Sequence, residues 1–321
     1  LGDICKYVTS GGTPKSSIKE YYEPKQIPWL KTKEVNYCRI YETESYISKD
    51  GLDNSSAKMI PQNSVIVAMY GQGDTAGRVA INKIPLTTNQ ACCNLIIDET
   101  KACYEFVYYQ LVTLYEKMVS LKNGGAQPNL SAAIIKSMEI KLPPLKTQRY
   151  IADILSSYDN LIENNQKQIK LLEEAAQRLY KEWFVDLRFP GHENTKIVDG
   201  VPEGWRRTNI NEILTFHRGY DLTKNEMKAG RYPVVGSTTV IGYHNEFKIK
   251  GPGIVTGRSG SLGKYQFIWD NFWPHNTSLY ISDYKDHNIF FVYSLLQTVD
   301  FASLNKGGAI PTLHRNVLSN I

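Results

Sequence analysis

The stretch from residue 142 to residue 183 constrains the fold most, because its apolar residues recur at alternating steps of four and three. We name these positions the heptad seam, and they are Ile151, Leu155, Tyr158, Ile162, Asn165, Ile169, Leu172, Ala176, Leu179 and Trp183. A 3.5-residue period sustained over this length is typical of a helix whose narrow apolar stripe packs against another helix. The heptad seam therefore predicts a long helix that needs a partner helix.

The residues at both ends of the stretch favour a helix start and a helix stop. Pro143 and Pro144 suit the approach to a first turn, because proline has a preset φ and its missing N–H would have no intrahelical partner there. The sequence Phe189-Pro190-Gly191 cannot continue a helix. A helix of about 40 residues is about 60 Å long, so we expect a spacer as well as a packing element. Asn165 either fixes the register of a helix pair or faces solvent.

The alternative for this stretch is a buried core helix of an ordinary enzyme, which would show a wider apolar face. The chain has 321 residues, enough for two domains, and 42% of them are apolar, enough for real cores. Its net charge of +5 is mildly basic. Any surface for nucleic acid must therefore be local, or be completed by a partner subunit.

Cysteine usage and apolar runs bear on the compartment. The five cysteines all lie in the first third of the chain, with no Cys-x-x-Cys pair and no His pair nearby. This pattern disfavours a disulfide scaffold or a metal site and favours a reducing cytoplasm. No signal peptide or membrane-length apolar run is present in the sequence, which predicts a soluble protein without a membrane partner.

The chain before the helix reads as α+β with many short strands. Residues 27–33 and 64–69 are rich in β-branched and aromatic residues and predict strands, while residues 105–121 predict a helix. Residues 138–142 predict a short strand that leads into the long helix.

The same order of features returns after the helix. The loop from Gly71 to Arg78 finds a counterpart from Gly257 to Lys264, with both outer glycines displaced by 186 (257 − 71 and 263 − 77), and Asn89-Gln90 falls on His275-Asn276 at that displacement. Residues 124–128 are matched by residues 307–311, displaced by 183, and Ile140 falls on Ile321. A repeat of this length predicts a duplicated domain rather than a solenoid unit.

Neither glycine loop reads as catalytic. Five residues rather than four separate Gly257 from Gly263, and Tyr265 stands where a phosphate-binding loop needs Ser or Thr. The six histidines are scattered, and no carboxylate pair or Cys/His couple stands out. We therefore expect no catalytic residues, no metal site and no cofactor, although a catalytic set spread through the sequence remains an alternative.

Three motifs carry a resemblance to a known family. They are the sequence Leu-Pro-Pro-Leu-Lys-Thr-Gln-Arg-Tyr-Ile-Ala-Asp-Ile-Leu at 142–155, Trp-Phe-Val-Asp at 183–186 and Val-Pro-Glu-Gly-Trp at 201–205. Together with the paired domains they resemble the specificity subunit of type I restriction-modification enzymes. The resemblance spans nearly the whole chain.

The resemblance implies an α+β fold with two similar target recognition domains separated by a long coiled-coil-type helix. The first domain would comprise residues 1–141, the spacer helix residues 142–190 and the second domain residues 191–321. In that family two spacer helices pair antiparallel, and the sequence ends where the second would begin, just as it starts without the family's short leader. We expect a second copy of the chain or a methyltransferase subunit to pair with the heptad seam instead.

The resemblance also implies a non-catalytic function. Each domain would read one half of a split sequence in double-stranded DNA. Methyltransferase subunits, two by expectation, would bring S-adenosylmethionine and methylate adenine, and restriction subunits that also translocate DNA would cut it. The alternative is an adaptor that binds proteins through two divergent domains and does not bind nucleic acid.

Polar and basic residues of the repeated loops are the predicted DNA contacts, because base edges are read by polar side chains and phosphates by Lys and Arg. They are Lys31, Thr32, Lys33, Gln72, Asp74, Arg78, Asn89, Gln90, Arg218, Ser237, Thr238, Arg258, Ser259, Ser261, Lys264, His275 and Asn276. Arg258 suits a bidentate contact to guanine, and Gln72 or Gln90 one to adenine. The alternative for each is a solvated turn or a structural hydrogen bond.

Overall fold

The computed structural model describes residues 1–121, 129–258 and 263–299. The chain divides into two compact units, unit 1 at residues 1–165 and unit 2 at residues 166–321. The repeat landmarks at residues 124–128, at residues 307–311 and at Ile321 lie outside the described residues.

Unit 1 is built on two sheets and four short helices, and it contains the first part of the long helix. Its strands are β1 (Cys5–Ser10), β2 (Ile27–Leu30), β3 (Cys38–Ile40), β4 (Tyr46–Ile47), β5 (Met59–Ile60), β6 (Val65–Ala68), β7 (Val79–Asn82), β8 (Leu86–Thr88) and β9 (Cys92–Ile97). Its helices are α1 (Lys49–Asp53), α2 (Tyr104–Thr113), α3 (Tyr115–Ser120), α4 (Ala132–Ser137) and α5 (Leu145–Tyr180), of which α5 ends in unit 2. One sheet has the strand order β1-β9-β6-β7-β3, and the other β4-β2-β8-β5.

The larger sheet of unit 1 is covered on both faces. Val65 and Val67 of β6 contact the core that also holds Val107 and Leu111 of α2, whereas the alternate residue Ile66 contacts a second core with residues of β2 and β8. Because successive side chains of a strand point to opposite faces, a strand covered on both sides is apolar at every position. The burial of all residues of β6 and β9 follows from this.

Unit 2 repeats this plan, with one strand fewer in each of the two corresponding sheets among its described residues. Its strands are β10 (Ile197–Val198), β11 (Val201–Pro202), β12 (Thr215–Arg218), β13 (Tyr232–Val235), β14 (Val240–His244), β15 (Gly253–Gly257), β16 (Tyr265–Ile268), β17 (Trp273–Pro274) and β18 (Ser278–Asp283), and its helix is α6 (Ile289–Thr298). The sheet order β12-β18-β15-β16 reproduces β1-β9-β6-β7, and β14-β13-β17 reproduces β4-β2-β8. Strands β13 and β17 are parallel, as are β2 and β8.

The α+β fold with two similar domains and a long helix between them in sequence is confirmed. One predicted correspondence between the two repeats is wrong. Gly257 pairs with Ser278 as Ala68 pairs with Cys92, so Gly257 corresponds to Ala68 and not to Gly71. The loop that follows is seven residues long in unit 2 (258–264) and ten in unit 1 (69–78). The second glycines do correspond, because Gly77 and Gly263 both have positive φ two residues before the next strand.

The predictions for the segments next to the long helix were partly wrong. The segment 105–121 is two helices, α2 and α3, because the chain breaks at Leu114. The segment 138–142 is not a strand, since it lies in no ladder of the described residues, and the helix α4 just before it was not predicted. The long helix runs from Leu145 to Tyr180, followed by a π-helical turn at Lys181–Val185.

The heptad seam is largely exposed to solvent. Eight of its ten residues are exposed, and only Ile151 and Trp183 are half-buried. Leu172, at 70% exposure, is the extreme case. Exposing an apolar stripe of this kind to water is energetically unfavourable. The partner helix therefore stays a prediction, and the exposed heptad seam is the surface on which to test it.

A different face of α5, which we name the polar contact, holds it to unit 1. Arg39, whose side chain is 5% exposed, donates from Nη1 to Asn160 Oδ1 at 2.5 Å and lies 3.6 Å from a Glu163 carboxylate oxygen. The hydroxyl of Tyr109 donates to Asp159 Oδ2 at 2.6 Å, and that of Tyr41 donates to Glu163 Oε2 at 3.0 Å. The acidic partners stabilise the buried Arg39 cation and raise its pKa against the effect of burial.

The far end of α5 contacts unit 2 through an aromatic cluster. Its members are Tyr180, Phe184, Phe189, Trp205 and Phe291. Phe184 is central, with ring centroids 4.9 Å from Tyr180, 5.7 Å from Trp205 and 5.1 Å from Phe291. Edge-on and offset rings at these separations are favourable beyond their burial.

Candidate nucleic-acid interface

Most of the predicted contact residues that the structure describes lie at one end of the larger sheet in each unit, whereas residues 31–33 and 237–238 follow β2 and β13 of the smaller sheets. In unit 1, β1 and β6 end there and β7 and β9 begin there, because Ser10 pairs with Cys93 and Ala68 with Cys92. In unit 2, β12 and β15 end at the equivalent end, where β16 and β18 begin. We name these two surfaces edge 1 and edge 2.

Backbone hydrogen bonds build edge 1. The amide of Gly12 donates to the carbonyl of Thr88 at 2.9 Å, and the amide of Asn89 donates to the carbonyl of Leu30 at 2.9 Å. A Cβ on Gly11 would overlap the Thr88 carbonyl oxygen, so only glycine allows this approach. The turn at residues 11–13 and the loop at residues 89–90 are thereby held side by side.

Edge 2 has the same frame. The amide of Tyr220 donates to the carbonyl of Pro274 at 2.8 Å, and that of His275 donates to the carbonyl of Val235 at 2.9 Å. A Cβ on Gly219 would overlap the His275 carbonyl oxygen. Gly219 therefore occupies the place of Gly11, although the two lie in differently spaced parts of the sequence.

Side chains bridge the turn and the loop at equivalent positions in both units. Thr13 donates to Gln90 Oε1 in unit 1, and Asn276 donates to Asp221 Oδ1 in unit 2. The predicted residues Gln90 and Asn276 are therefore brought to the same place on their edges. Thr13 and Asp221 were missed, because nothing in their immediate sequence marks a contact with a residue 77 or 55 positions away.

In the loop from Gly71 to Arg78, two side chains hold the predicted contact residue Arg78. Arg78 donates to Asp74 Oδ1 at 2.5 Å and to Asn36 Oδ1 at 2.8 Å. The hydrogen bond to Asp74 raises the pKa of the Arg78 guanidinium. Gln72 is exposed at the tip of the loop, and its carbonyl accepts a hydrogen bond from Thr75 Oγ1 at 2.6 Å. Gln72 therefore stays exposed to solvent, while Arg78 has structural partners.

The three predicted residues after β2 differ in their surroundings. Thr32 is buried, which argues against direct contact with a ligand in this conformation. Lys33 is exposed and forms an ion pair with Glu44, which raises the pKa of Lys33. The Lys31 ammonium lies 4.9 Å from the centroid of the Trp29 ring, a cation–π contact.

The predicted cations of edge 2 are less neutralised. Arg218 lies 4.0 Å from Asp221, the outer limit of an ion pair, and its Nε donates to the Asn276 carbonyl at 3.5 Å. Arg258 and Lys264 flank the loop after β15, and neither makes an ion pair with any residue that the structure describes. Ser259 and Ser261, predicted between them, lie outside the described residues.

The remaining predicted residues of edge 2 support the frame. His275 Nε2 donates to the Leu222 carbonyl at 3.2 Å, and its Nδ1 lies 3.0 Å from Thr277 Oγ1, so both ring nitrogens are used. Ser237 donates to the Thr277 carbonyl at 2.8 Å. Thr238 is exposed. His275 and Ser237 thus have structural partners, which is the alternative that the sequence left open.

The chain is similar in sequence to known proteins of one family. A family model described as type I restriction modification DNA specificity domain matches residues 1–174 and 202–321. The type I restriction enzyme MjaIX specificity subunit of Methanocaldococcus jannaschii is 33% identical over 229 residues, which are 68% of this chain and 52% of that protein. The EcoR124I/EcoR124II specificity subunit of Escherichia coli is 28% identical over 192 residues, which are 59% of this chain and 47% of that protein. The chain spans about half the length of these two relatives.

A solved structure shows the same fold. The crystal structure of the type I restriction-modification system S subunit from M. genitalium matches with a TM-score of 0.57 and 18% sequence identity, covering 98% of this chain and 80% of that one. No helix among the described residues has the length and apolar character needed to cross a membrane.

Proposed function

Because the chain belongs to the family of type I restriction modification DNA specificity domains, we propose that it reads a bipartite target in double-stranded DNA, one half with each edge. The observation that carries the proposal is the shared frame. Two edges with the same backbone hydrogen bonds present different polar side chains, as expected of two readers of different sequences.

In the proposed mechanism, backbone contacts hold the loops and side chains read the bases. Gln72, Gln90 and Asn276 offer amides that suit adenine, and Arg258 offers a guanidinium that suits guanine. Lys264 and Arg218 contact phosphates and fix the position of the duplex. Helix α5, at 36 residues, is about 54 Å long and sets the gap between the two half-sites.

The chemistry belongs to partner subunits in this proposal. Methyltransferase subunits, two per complex, bring S-adenosylmethionine and flip the target adenine out of the duplex, and restriction subunits translocate and cut DNA. The chain itself supplies no catalytic residue and acts in the cytoplasm. We further propose that residues 1–141 and 191–321 are the two reading domains and residues 142–190 the spacer. The heptad seam of that spacer would pair with a second copy or with a helix of a methyltransferase subunit.

A protein-binding adaptor accounts less well for the same observations. An adaptor has no need for exposed amides and cations at the equivalent end of both sheets. Phosphate neutralisation releases counterions, so DNA binding by the proposed reader falls steeply with salt, whereas an adaptor has no such dependence on duplex DNA.

The test is to co-express the chain with a cognate methyltransferase subunit and to map methylated adenines across a genome by single-molecule sequencing. We expect a split motif with two specific halves around a fixed gap. A palindromic motif would show instead that two copies each use one edge. A stable complex that methylates nothing, and whose affinity for duplex DNA does not change with salt, would favour the adaptor.

A further inference from the structure

In each unit a lysine lies over a tryptophan ring beside one turn of the edge, the turn that begins at Gly11 in unit 1 and at Gly219 in unit 2. In unit 1 the Lys31 ammonium is 4.9 Å from the centroid of the Trp29 ring. In unit 2 the Lys248 ammonium is 4.7 Å from the centroid of Trp273 and 5.9 Å from that of Tyr220. Lys248 belongs to none of the sequence motifs described above.

Both indoles are fixed to the same point of the frame. Trp29 is buried and donates from Nε1 to the Gly12 carbonyl at 3.0 Å. Trp273 is buried and donates from Nε1 to the Tyr220 carbonyl at 3.4 Å. Gly12 and Tyr220 are equivalent, because their amides donate to equivalent carbonyls of the neighbouring strand.

The two arrangements come from different sequence positions. Trp29 lies on β2 opposite Thr87 of β8, whereas Trp273 lies on β17 opposite Val234 of β13. The tryptophan therefore lies on non-equivalent strands in the two units. The lysine also comes from a different segment in each unit, since Lys31 follows β2 and Lys248 lies between β14 and β15. Two units with diverged edges retain an ammonium over an indole beside the same turn, which indicates a use for the ammonium that is common to both.

We propose that Lys31 and Lys248 each bind a phosphate of the DNA backbone beside the half-site that their unit reads, an inference that rests on the proposed function. The indole face lies on one side of each ammonium, and Lys31 is half-buried while Lys248 is exposed. In this proposal the remaining N–H donors of each ammonium contact the phosphate. Neither lysine makes an ion pair with a described residue, in contrast to Lys33. The Glu34 carboxylate next to Lys31 is bound instead by the backbone amide of Lys31, which donates to Glu34 Oε1 at 3.1 Å. A phosphate is common to every nucleotide, so this contact anchors the duplex without reading sequence.

The experiment measures binding of the purified chain, in complex with its methyltransferase subunit, to a fluorescein-labelled duplex of mixed sequence between about 50 and 200 mM salt. Lys31→Gln and Lys248→Gln are each expected to lower the slope of log K against log salt by about 0.9, and the double variant by about 1.8. Lys31→Arg and Lys248→Arg keep the charge and are expected to keep the slope.

The control lysines lie at the end of the larger sheets opposite to edge 1 and edge 2. Lys101 follows β9 and Lys285 follows β18, and both are exposed. Lys101→Gln and Lys285→Gln are expected to leave the slope unchanged, and equal losses in these controls would overturn the proposal. Unchanged slopes in the Lys31 and Lys248 variants would overturn it too, and a loss in only one would overturn the equivalence. A wild-type complex whose DNA binding shows no salt dependence would instead overturn the proposed function itself.

Discussion

Edge 1 and edge 2 share a backbone frame and differ in how their cations are neutralised. In edge 1, Lys33 is paired with Glu44 and Arg78 with Asp74. In edge 2, Arg258 and Lys264 make no ion pair with the described residues. The backbone frame and the number of unpaired cations on each edge therefore depend on different residues. One can change without the other.

The two units also hold α5 by different chemistry. Unit 1 uses the polar contact around Arg39, whereas unit 2 uses the aromatic cluster around Phe184. Hydrogen bonds to a charged group depend on the geometry of donor and acceptor, whereas ring packing depends mainly on area and shape. The position of α5 on unit 1 should therefore be the more sensitive to exact side-chain identity.

The largest expected effect comes from equivalent core residues. Leu111 of α2 and Leu296 of α6 are both 0% exposed, and each packs on the larger sheet of its unit. Leu111→Ala and Leu296→Ala are each expected to cost about 2–5 kcal/mol of stability, through lost burial and the cavity left behind. Scanning calorimetry should show one transition lowered by each variant. A single transition lowered equally by both would mean that the units do not unfold separately.

A smaller effect separates the two ways of holding α5. Arg39→Ala is expected to cost about 1.5–3 kcal/mol, because Asn160 Oδ1 loses a charged donor and the Glu163 carboxylate loses its cation. Arg39→Lys should restore little, since an ammonium lacks the planar fork. Phe184→Ala is expected to cost about 1–2 kcal/mol, because the ring is only partly buried. Phe184→Leu should restore most of that loss. Hydrogen exchange of residues 150–163 and 176–185 reports each site, and full rescue by Arg39→Lys would contradict the contrast.

Alkaline pH should affect unit 1 before unit 2. All five cysteines lie in unit 1, and burial raises the pKa of the Cys93 thiol from 9.0 to about 12 and that of Cys92 further. The unfolded thiol ionises above about pH 9 while folded Cys93 stays protonated, so its stabilising contribution is full below pH 9 and is lost as the pH rises. The loss is about 1.4 kcal/mol per pH unit for each such thiol.

Unit 2 has no cysteine, so its own loss begins with tyrosines such as Tyr284, whose pKa burial raises from 10.0 to about 12. Thermal unfolding at pH 8 and pH 10 should therefore shift the unit 1 transition more than that of unit 2. Cys93→Ala serves as the control, because removing the thiol should remove its part of the shift. Equal shifts in both units would argue against the thiols as the cause.

The smallest expected effect is on DNA binding by the cations of the two edges. Arg258→Gln and Lys264→Gln should each lower the salt slope of duplex binding by about 0.9 if each contacts one phosphate. Arg78→Gln should lower it less, because a guanidinium bound to Asp74 is not free to release a counterion from a phosphate. Titrations by fluorescence anisotropy give the slopes. A larger loss for Arg78 than for Arg258 would reverse the comparison of the edges.

Local signals made much of the fold predictable. Pro143 and Pro144 precede the start of α5 at Leu145, and the repeat of glycine and polar loops reveals the duplication that the strand orders share. The match of Gly71 with Gly257 was wrong, because a glycine recurs at a similar place in a loop that is three residues shorter in unit 2. Spacing alone cannot distinguish a conserved glycine from a coincident one.

The parts of the site that the sequence did not reveal depend on contacts between distant residues. Arg39 meets Asn160 across 121 positions, and the Trp273 indole meets the Tyr220 carbonyl across 53. Such partners are chosen by the folded sheet and leave no periodicity or motif. The exchange of tryptophan between strands hides the likeness of Lys31 and Lys248 from any alignment of the two units.

The frame of each edge has an evolutionary consequence. Gly12 and Tyr220 make equivalent contacts with amide and carbonyl groups that every residue except proline possesses in full. Gly11, Gly12 and Gly219 are obliged to stay as they are, since a side chain at any of them would collide with neighbouring backbone atoms. A lineage can therefore replace the outward side chains a few at a time, and acquire a new target, while it inherits the scaffold unchanged.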